Sequence, residues 1–201
     1  MTRLKMGLKA KHSAMKGPSW RLKEKHAAMR GEIEARLAHF EAVGRRRGRT
    51  LFEELSFCIL TPQSKAFTCD EAVRELRVSG LLFKGSVGEI ARVLARKTRF
   101  HNNKAKYLVL AREKFGADGF AGLERLTFEG DEKEARQALL RSVKGIGWKE
   151  ASHYLRNVGR GRSIAILDRH ILKNLARHKA IRTLPKSLTP KIYLGIEKRM
   201  Y

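Results

Sequence analysis

The chain has 201 residues, 42% of them hydrophobic, and carries 44 Lys and Arg against 20 Asp and Glu, a net charge of +24. That apolar share supports a packed core in one or two small domains and excludes a disordered chain. The charge points to a polyanionic partner, nucleic acid first, and no run approaches the roughly 20 apolar residues of a membrane span.

Residues 1–20 are basic, contain Gly17-Pro18-Ser19 and lack amphipathic order, so they read as a tail. No apolar signal core accompanies them, and the protein is expected in the cytoplasm, associated with the nucleoid. Residues 21–201 then read as one domain. A helix is predicted from about Leu22 to Val43, with Ala27, Met29, Ile33, Leu37 and Phe40 as its apolar side. Arg45-Arg46-Arg47-Gly48-Arg49 forms a basic connection, as well suited to phosphate as to solvent. Leu51 to Leu60 is apolar nearly all round and predicts a buried central helix. Thr61-Pro62-Gln63-Ser64 interrupts it, because Pro62 has no N–H to continue the ladder. A further helix runs toward Leu76, and two more flank Phe100-His101-Asn102-Asn103-Lys104.

Asp131 to Val143 is predicted helical, with Ala135, Ala138, Leu139 and Val143 inward, and a helix over 149–158 follows Gly145-Ile146-Gly147. Ile164-Ala165-Ile166-Leu167 reads as extended or tightly buried, and Asp168 occupies an N-cap position before Ile171, Leu172 and Leu175. Pro185 and Pro190 bracket a loop, and a last helix starts near Lys191. No alternating strand pattern persuades, so the fold class is all-α, built of many short helices. Of the two cysteines, Cys58 belongs in the core and both are expected reduced; two thiols cannot ligate a four-cysteine iron–sulfur cluster. His153, His170 and His178 lack the spacing of a metal site and read as ordinary helix residues.

Chemistry concentrates around Val143-Lys144-Gly145-Ile146-Gly147-Trp148-Lys149. Two glycines permit a tight turn between helices, and the free N–H groups of the helix that follows attract phosphate. Lys149 sits in that helix's first turn, where the helix dipole and burial near Trp148 favour a neutral, nucleophilic amine. Lys144 is its rival, and a phosphate-contacting surface lysine is the plainer alternative. Asp168 follows Lys149 by 19 residues. A carboxylate there can stabilise positive charge on a sugar ring, or be a plain N-cap worth ~1 kcal/mol.

These residues resemble the helix–hairpin–helix DNA glycosylases of the endonuclease III superfamily. Leu55 to Ala66, Phe100 to Tyr107 and Lys144 to Asn157 look more narrowly like the second, archaeal-type class of 8-oxoguanine DNA glycosylase/lyase. The resemblance spans about residues 22–200 and implies two small helical lobes with the active site between them. It implies that Lys149 attacks the sugar C1′, expels 8-oxoguanine through a Schiff base, and nicks the strand by β-elimination, with Asp168 assisting. Gln63 matches the side chain that fills the hole left by the flipped base. Phe100 to Asn103 match the wedge entering the helix opposite, with His101, Asn102, Asn103 and Lys104 as DNA contacts, and Gly145 and Gly147 hold a phosphate with room for a monovalent cation. No cofactor is required, the iron–sulfur branches are disfavoured, and the partner is duplex DNA containing 8-oxoguanine or abasic sites, bound by a monomer. Family chains continue past the equivalent of Tyr201, and loss of that segment is expected to forfeit ~1–3 kcal/mol of stacking on the flipped base. The alternatives are a catalytically weak DNA-binding protein on this scaffold, a related glycosylase of different base preference, and an RNA-binding or nucleoid architectural protein.

Overall fold

The computed structural model describes residues 18–200, so the predicted tail lies outside the described residues apart from the three that open the first helix. Twelve α-helices occur among the described residues, and no strand. They are α1 (Pro18–Ala28), α2 (Arg30–Arg45), α3 (Arg49–Leu60), α4 (Ala66–Val78), α5 (Leu81–Lys84) and α6 (Val87–Leu94), followed by α7 (His101–Gly116), α8 (Ala121–Phe128), α9 (Glu132–Ser142), α10 (Trp148–Asn157), α11 (Arg169–Arg177) and α12 (Pro190–Glu197). None of these helices is long and apolar enough to cross a membrane.

The predicted central helix is α3. Leu51, Phe52, Leu55, Cys58, Ile59 and Leu60 are fully buried, and the helix packs on α2, α4, α7, α8 and α10. Two core clusters form: a large one drawn from residues 51–164, and a smaller one of Ala165, Leu167, Leu172, Ile181, Tyr193 and Ile196. Cys58 and Cys69 are both free and buried.

The first predicted helix is two helices, broken at Met29, with Gly31 weakening helix propensity beside the break. Its apolar side is also corrected. Met29, Ile33 and Leu37 are exposed, and only Phe40, Val43 and Gly44 of α2 reach the core. Periodicity showed a face but not how far the core extends. The short α5 and α8 did not register in the sequence, since neither runs long enough to display a period. In the basic connection, Arg47 and Arg49 lie over the rings of Phe128 and Phe83 at 3.6 and 4.9 Å, so these two stems are anchored on aromatic faces.

A buried polar network joins the two cores. Arg136 of α9 and Glu197 of α12 form a two-bond fork at 2.6 and 2.7 Å, with both side chains almost wholly buried. Glu197 Oε1 also accepts the Ala165 N–H at 2.7 Å. The Tyr193 hydroxyl donates to the Ala165 carbonyl at 2.6 Å and accepts the Leu167 N–H at 3.2 Å. Arg136 further donates to Ser152 of α10 at 3.2 Å and lies 4.8 Å above the Trp148 ring. The segment preceding Asp168 is thereby tied to the helix that begins at Trp148.

Burial alone would raise the Glu197 carboxyl, but the Arg136 fork and the Ala165 N–H outweigh it and hold it below its ordinary value of 4.5. A depressed carboxylate stabilises the fold above its unfolded pKa, and that contribution is lost as pH falls through the folded value. Glu197→Ala, which strands the buried guanidinium, is expected to cost about 3–5 kcal/mol in urea unfolding at pH 7. The same variant should show a flatter loss of stability below pH 4.5, a window set by the ordinary Glu197 value.

Candidate active site

The Asp131 carboxylate caps α9, accepting the Lys133 and Glu134 N–H groups at 2.8 Å each, while the Glu134 side chain returns to the Asp131 N–H at 3.1 Å. The helix ends at Val143 and the chain turns through Gly145, whose φ is +91°. A Cβ there would overlap the Tyr107 ring, so both conformation and space demand glycine. Gly147 differs: its φ of −110° is extended backbone that any residue adopts. Its N–H is taken by Glu150 Oε2 at 3.2 Å, so the expected phosphate donor is internally satisfied. The N–H groups of Ile146, Trp148 and Lys149 have no partner among the described hydrogen bonds, and they form the anion-attracting helix start.

Lys149 is half-buried, and its Nζ lies 2.9 Å from Glu150 Oε1. Glu150 therefore holds the hairpin with one oxygen and the lysine with the other. The sequence signal for it was an acidic residue three positions into a helix, where side chains fold back on the N-cap. Lys144, the rival amine, is exposed.

Asp168 caps α11, with Oδ1 accepting the His170 and Ile171 N–H groups at 2.8 and 2.7 Å. Oδ2 enters no described hydrogen bond and remains for other work. The carboxylate is half-buried at the edge of the smaller core, just after the Ala165–Leu167 stretch gripped by Tyr193 and Glu197.

His153, one turn beyond Lys149, is more than the ordinary helix residue read from the sequence. Its ring meets Phe57 edge-on at 5.7 Å, and it lies within the fields of Lys149, Glu150 and Asp168 at once. Burial, then the cations Arg156 and Lys149, push the His153 pKa down from 6.5 to about 4, so the ring is neutral near pH 7. Phe57 also lines a cleft of ≈ 420 Å³ with Phe40, Glu54 and Asn157, on a side that Lys149, His153 and Asp168 do not line.

A histidine whose folded pKa is depressed binds fewer protons folded than unfolded. Its stabilising effect is complete above pH 6.5 and is lost as pH falls toward 4, the window given by its ordinary and folded values. We expect His153→Gln to remove on the order of 2 kcal/mol of acid destabilisation between those limits, read as the pH dependence of urea midpoints.

The remaining predicted residues divide. Gln63 is exposed in the turn after α3, with φ +54°. His101, Asn102 and Asn103 form the first turn of α7 rather than a loop; His101 is half-buried and both asparagines are exposed. Lys104 is corrected: it is 4% exposed, and its ammonium donates to Leu60 O, Pro62 O and Ser64 Oγ at 2.6, 2.8 and 2.9 Å. With all three protons used internally, it presents no charge to DNA. Among the described residues no group of three or more His, Cys, Asp or Glu could hold a metal ion.

The family profile described as 8-oxoguanine DNA glycosylase matches residues 33–201. The chain is 48% identical to an 8-oxoguanine DNA glycosylase/AP lyase of Fusobacterium nucleatum over 154 residues, 73% of this chain and 68% of that protein. It is 38% identical to the protein of the same name from Methanocaldococcus jannaschii over 171 residues, 82% of this chain and 76% of the relative. The crystal structure of the M. jannaschii 8-oxoguanine glycosylase/lyase with a 15mer DNA containing 8-oxoguanine superposes with a TM-score of 0.77 at 34% identity. That match covers 88% of this chain and 83% of the other. A profile match over most of the chain, joined to an all-helical fold of the same shape, means that this chain belongs to the 8-oxoguanine DNA glycosylase family.

Proposed function

We propose that this protein excises 8-oxoguanine from duplex DNA through a Schiff base on Lys149 and then cleaves the strand at the abasic site by β-elimination. The observation that carries the reading is the placement of half-buried Lys149 in the first turn of the helix that follows the Gly145 turn, its Nζ 2.9 Å from Glu150 Oε1. Trp148, just before the lysine, packs on the smaller core, while Ala151, just after it, belongs to the larger. In this reading the two cores are the two lobes, and Lys149 and Asp168 act at their junction.

The extruded nucleotide enters beside His153 and Phe57. Lys149 first sheds a proton, for which the Glu150 carboxylate at 2.9 Å is a ready acceptor. The amine nitrogen bonds to C1′ as the C1′–N9 bond breaks, its electron pair leaving with the base, which takes up the proton held by Glu150. The Asp168 carboxylate stabilises the oxocarbenium-like charge on the sugar. Ring opening gives the iminium, loss of a C2′ proton follows, and the 3′ phosphate departs. The unpartnered N–H groups at the start of α10 receive a DNA phosphate. The carbonyls of Lys144, Gly145 and Ile146 accept no described hydrogen bond and fit the monovalent cation implied at the hairpin. The protein works as a monomer on chromosomal DNA and requires no cofactor.

The test is incubation with borohydride and duplexes holding 8-oxoguanine, an abasic site or neither. The expected result is a covalent complex on the first two alone, with free base released from the first. Salt-dependent binding without trapping or base release would overturn the reading and leave a DNA-binding protein on a glycosylase scaffold.

A further inference from the structure

Two exposed residues of this surface stand in left-handed backbone conformations: Gln63 with φ +54° and Phe100 with φ +57°. Phe100 is 53% exposed. Non-glycine residues in this region are strained, and they persist only where neighbouring structure over-determines them.

Lys104 supplies much of that determination. Its ammonium sits at the C-terminus of α3, where helix carbonyls are orphaned and the dipole is negative. It donates to Leu60 O at 2.6 Å, Pro62 O at 2.8 Å and Ser64 Oγ at 2.9 Å, bracketing Gln63 on both sides. Ser64 Oγ also accepts the N–H of Arg99, the residue before Phe100, at 3.0 Å. A second strap runs parallel, with Thr68 Oγ1 donating to the Lys97 carbonyl at 2.8 Å. The turn after α3 and the turn before α7 are therefore one cross-linked unit with Lys104 inside it. No carboxylate takes part in these contacts. A buried cation held by carbonyls and a hydroxyl gains little over an apolar side chain for stability alone, since the three hydrogen bonds do no more than offset the cost of burying it.

We propose that Lys104, through Ser64, is a positioning residue that holds Gln63 and Phe100 as a single rigid wedge, so that both enter the duplex in register as the nucleotide turns out. The inference rests on the base-excision reading above and on insertion of Gln63 and Phe100. A rigid wedge carries its ordering entropy from folding, whereas two loose turns would lose that freedom during each opening of the duplex. The effect belongs to base extrusion and not to the chemistry at Lys149.

The test compares single-turnover release of 8-oxoguanine from a fully paired duplex with release from an unpaired loop, where no pair has to be opened. Wild type, Ser64→Ala, Lys104→Met, Gln63→Ala and Phe100→Ala are measured as the full chain. Ser64→Ala removes only the shared hydroxyl and serves where Lys104→Met fails to fold. Both clasp variants are expected to lose at least ten-fold on the paired duplex and less than three-fold on the loop. Equal losses on the two substrates, or none on the paired one, overturn the clasp. Loss in Gln63→Ala or Phe100→Ala without loss in Ser64→Ala or Lys104→Met overturns the clasp alone. No loss in either insertion variant overturns the insertion reading and the clasp with it, and absence of release by the wild type overturns the excision reading itself.

Discussion

Lys149→Gln is expected to abolish borohydride trapping and to slow base release by more than about 10³-fold, because removal of a covalent nucleophile leaves only binding and electrostatic assistance. Glutamine keeps a polar side chain of similar length, so Glu150 retains a hydrogen-bond partner and the hairpin contact to Gly147 at 3.2 Å is undisturbed. DNA affinity should change little: one cation of 44 is removed, and the salt slope should fall by about one phosphate contact or less. Lys144→Gln is the matched control. Lys144 is exposed and precedes the helix that carries Lys149, so its variant should still trap. Undiminished trapping by Lys149→Gln, or its loss in Lys144→Gln alone, would move the nucleophile elsewhere.

Asp168 separates a structural role from a chemical one when two variants are compared. Its Oδ1 caps α11 through two N–H groups at 2.8 and 2.7 Å, an acceptor role that asparagine fills equally well. Asp168→Asn should therefore keep stability within a few tenths of a kcal/mol while lowering excision by about 10²–10³-fold through loss of the negative charge. Asp168→Ala should lose the cap as well, about 1 kcal/mol in urea unfolding. Wild-type excision by the asparagine variant would reduce Asp168 to a helix cap.

Much of the scaffold was legible because it rests on local rules. The all-round apolar run of α3, the acidic cap of α9, proline at the start of α12 and the Gly-Ile-Gly hairpin all act over a few residues, within reach of pattern reading. The family resemblance rested on the same short stretches, and the profile match agrees with it. Gly145 was legible as a special position, though the Tyr107 ring that forbids any side chain there comes from another helix. Gly147, read as its equal, turned out to need no unusual conformation.

Tertiary structure decided what spacing could not carry. Lys104 looked like one more surface cation among asparagines until it was packed under carbonyls 42 and 44 residues away. His153 shares a helical face with Lys149 in any wheel, yet only its burial against Phe57 makes it a neutral imidazole. Arg136 and Glu197 stand 61 residues apart, and nothing local marks them as partners. The stripe of Met29, Ile33 and Leu37 had the period of a core face and faces solvent instead. By itself the sequence determined most of the helical segments, the principal turns, and which amine and carboxylate to test, because caps, turns and periodicity are short-range. Only the tertiary structure decided which charged groups are buried, what they pair with and how the two cores meet, because desolvation and long-range pairing depend on neighbours that the order of residues does not reveal.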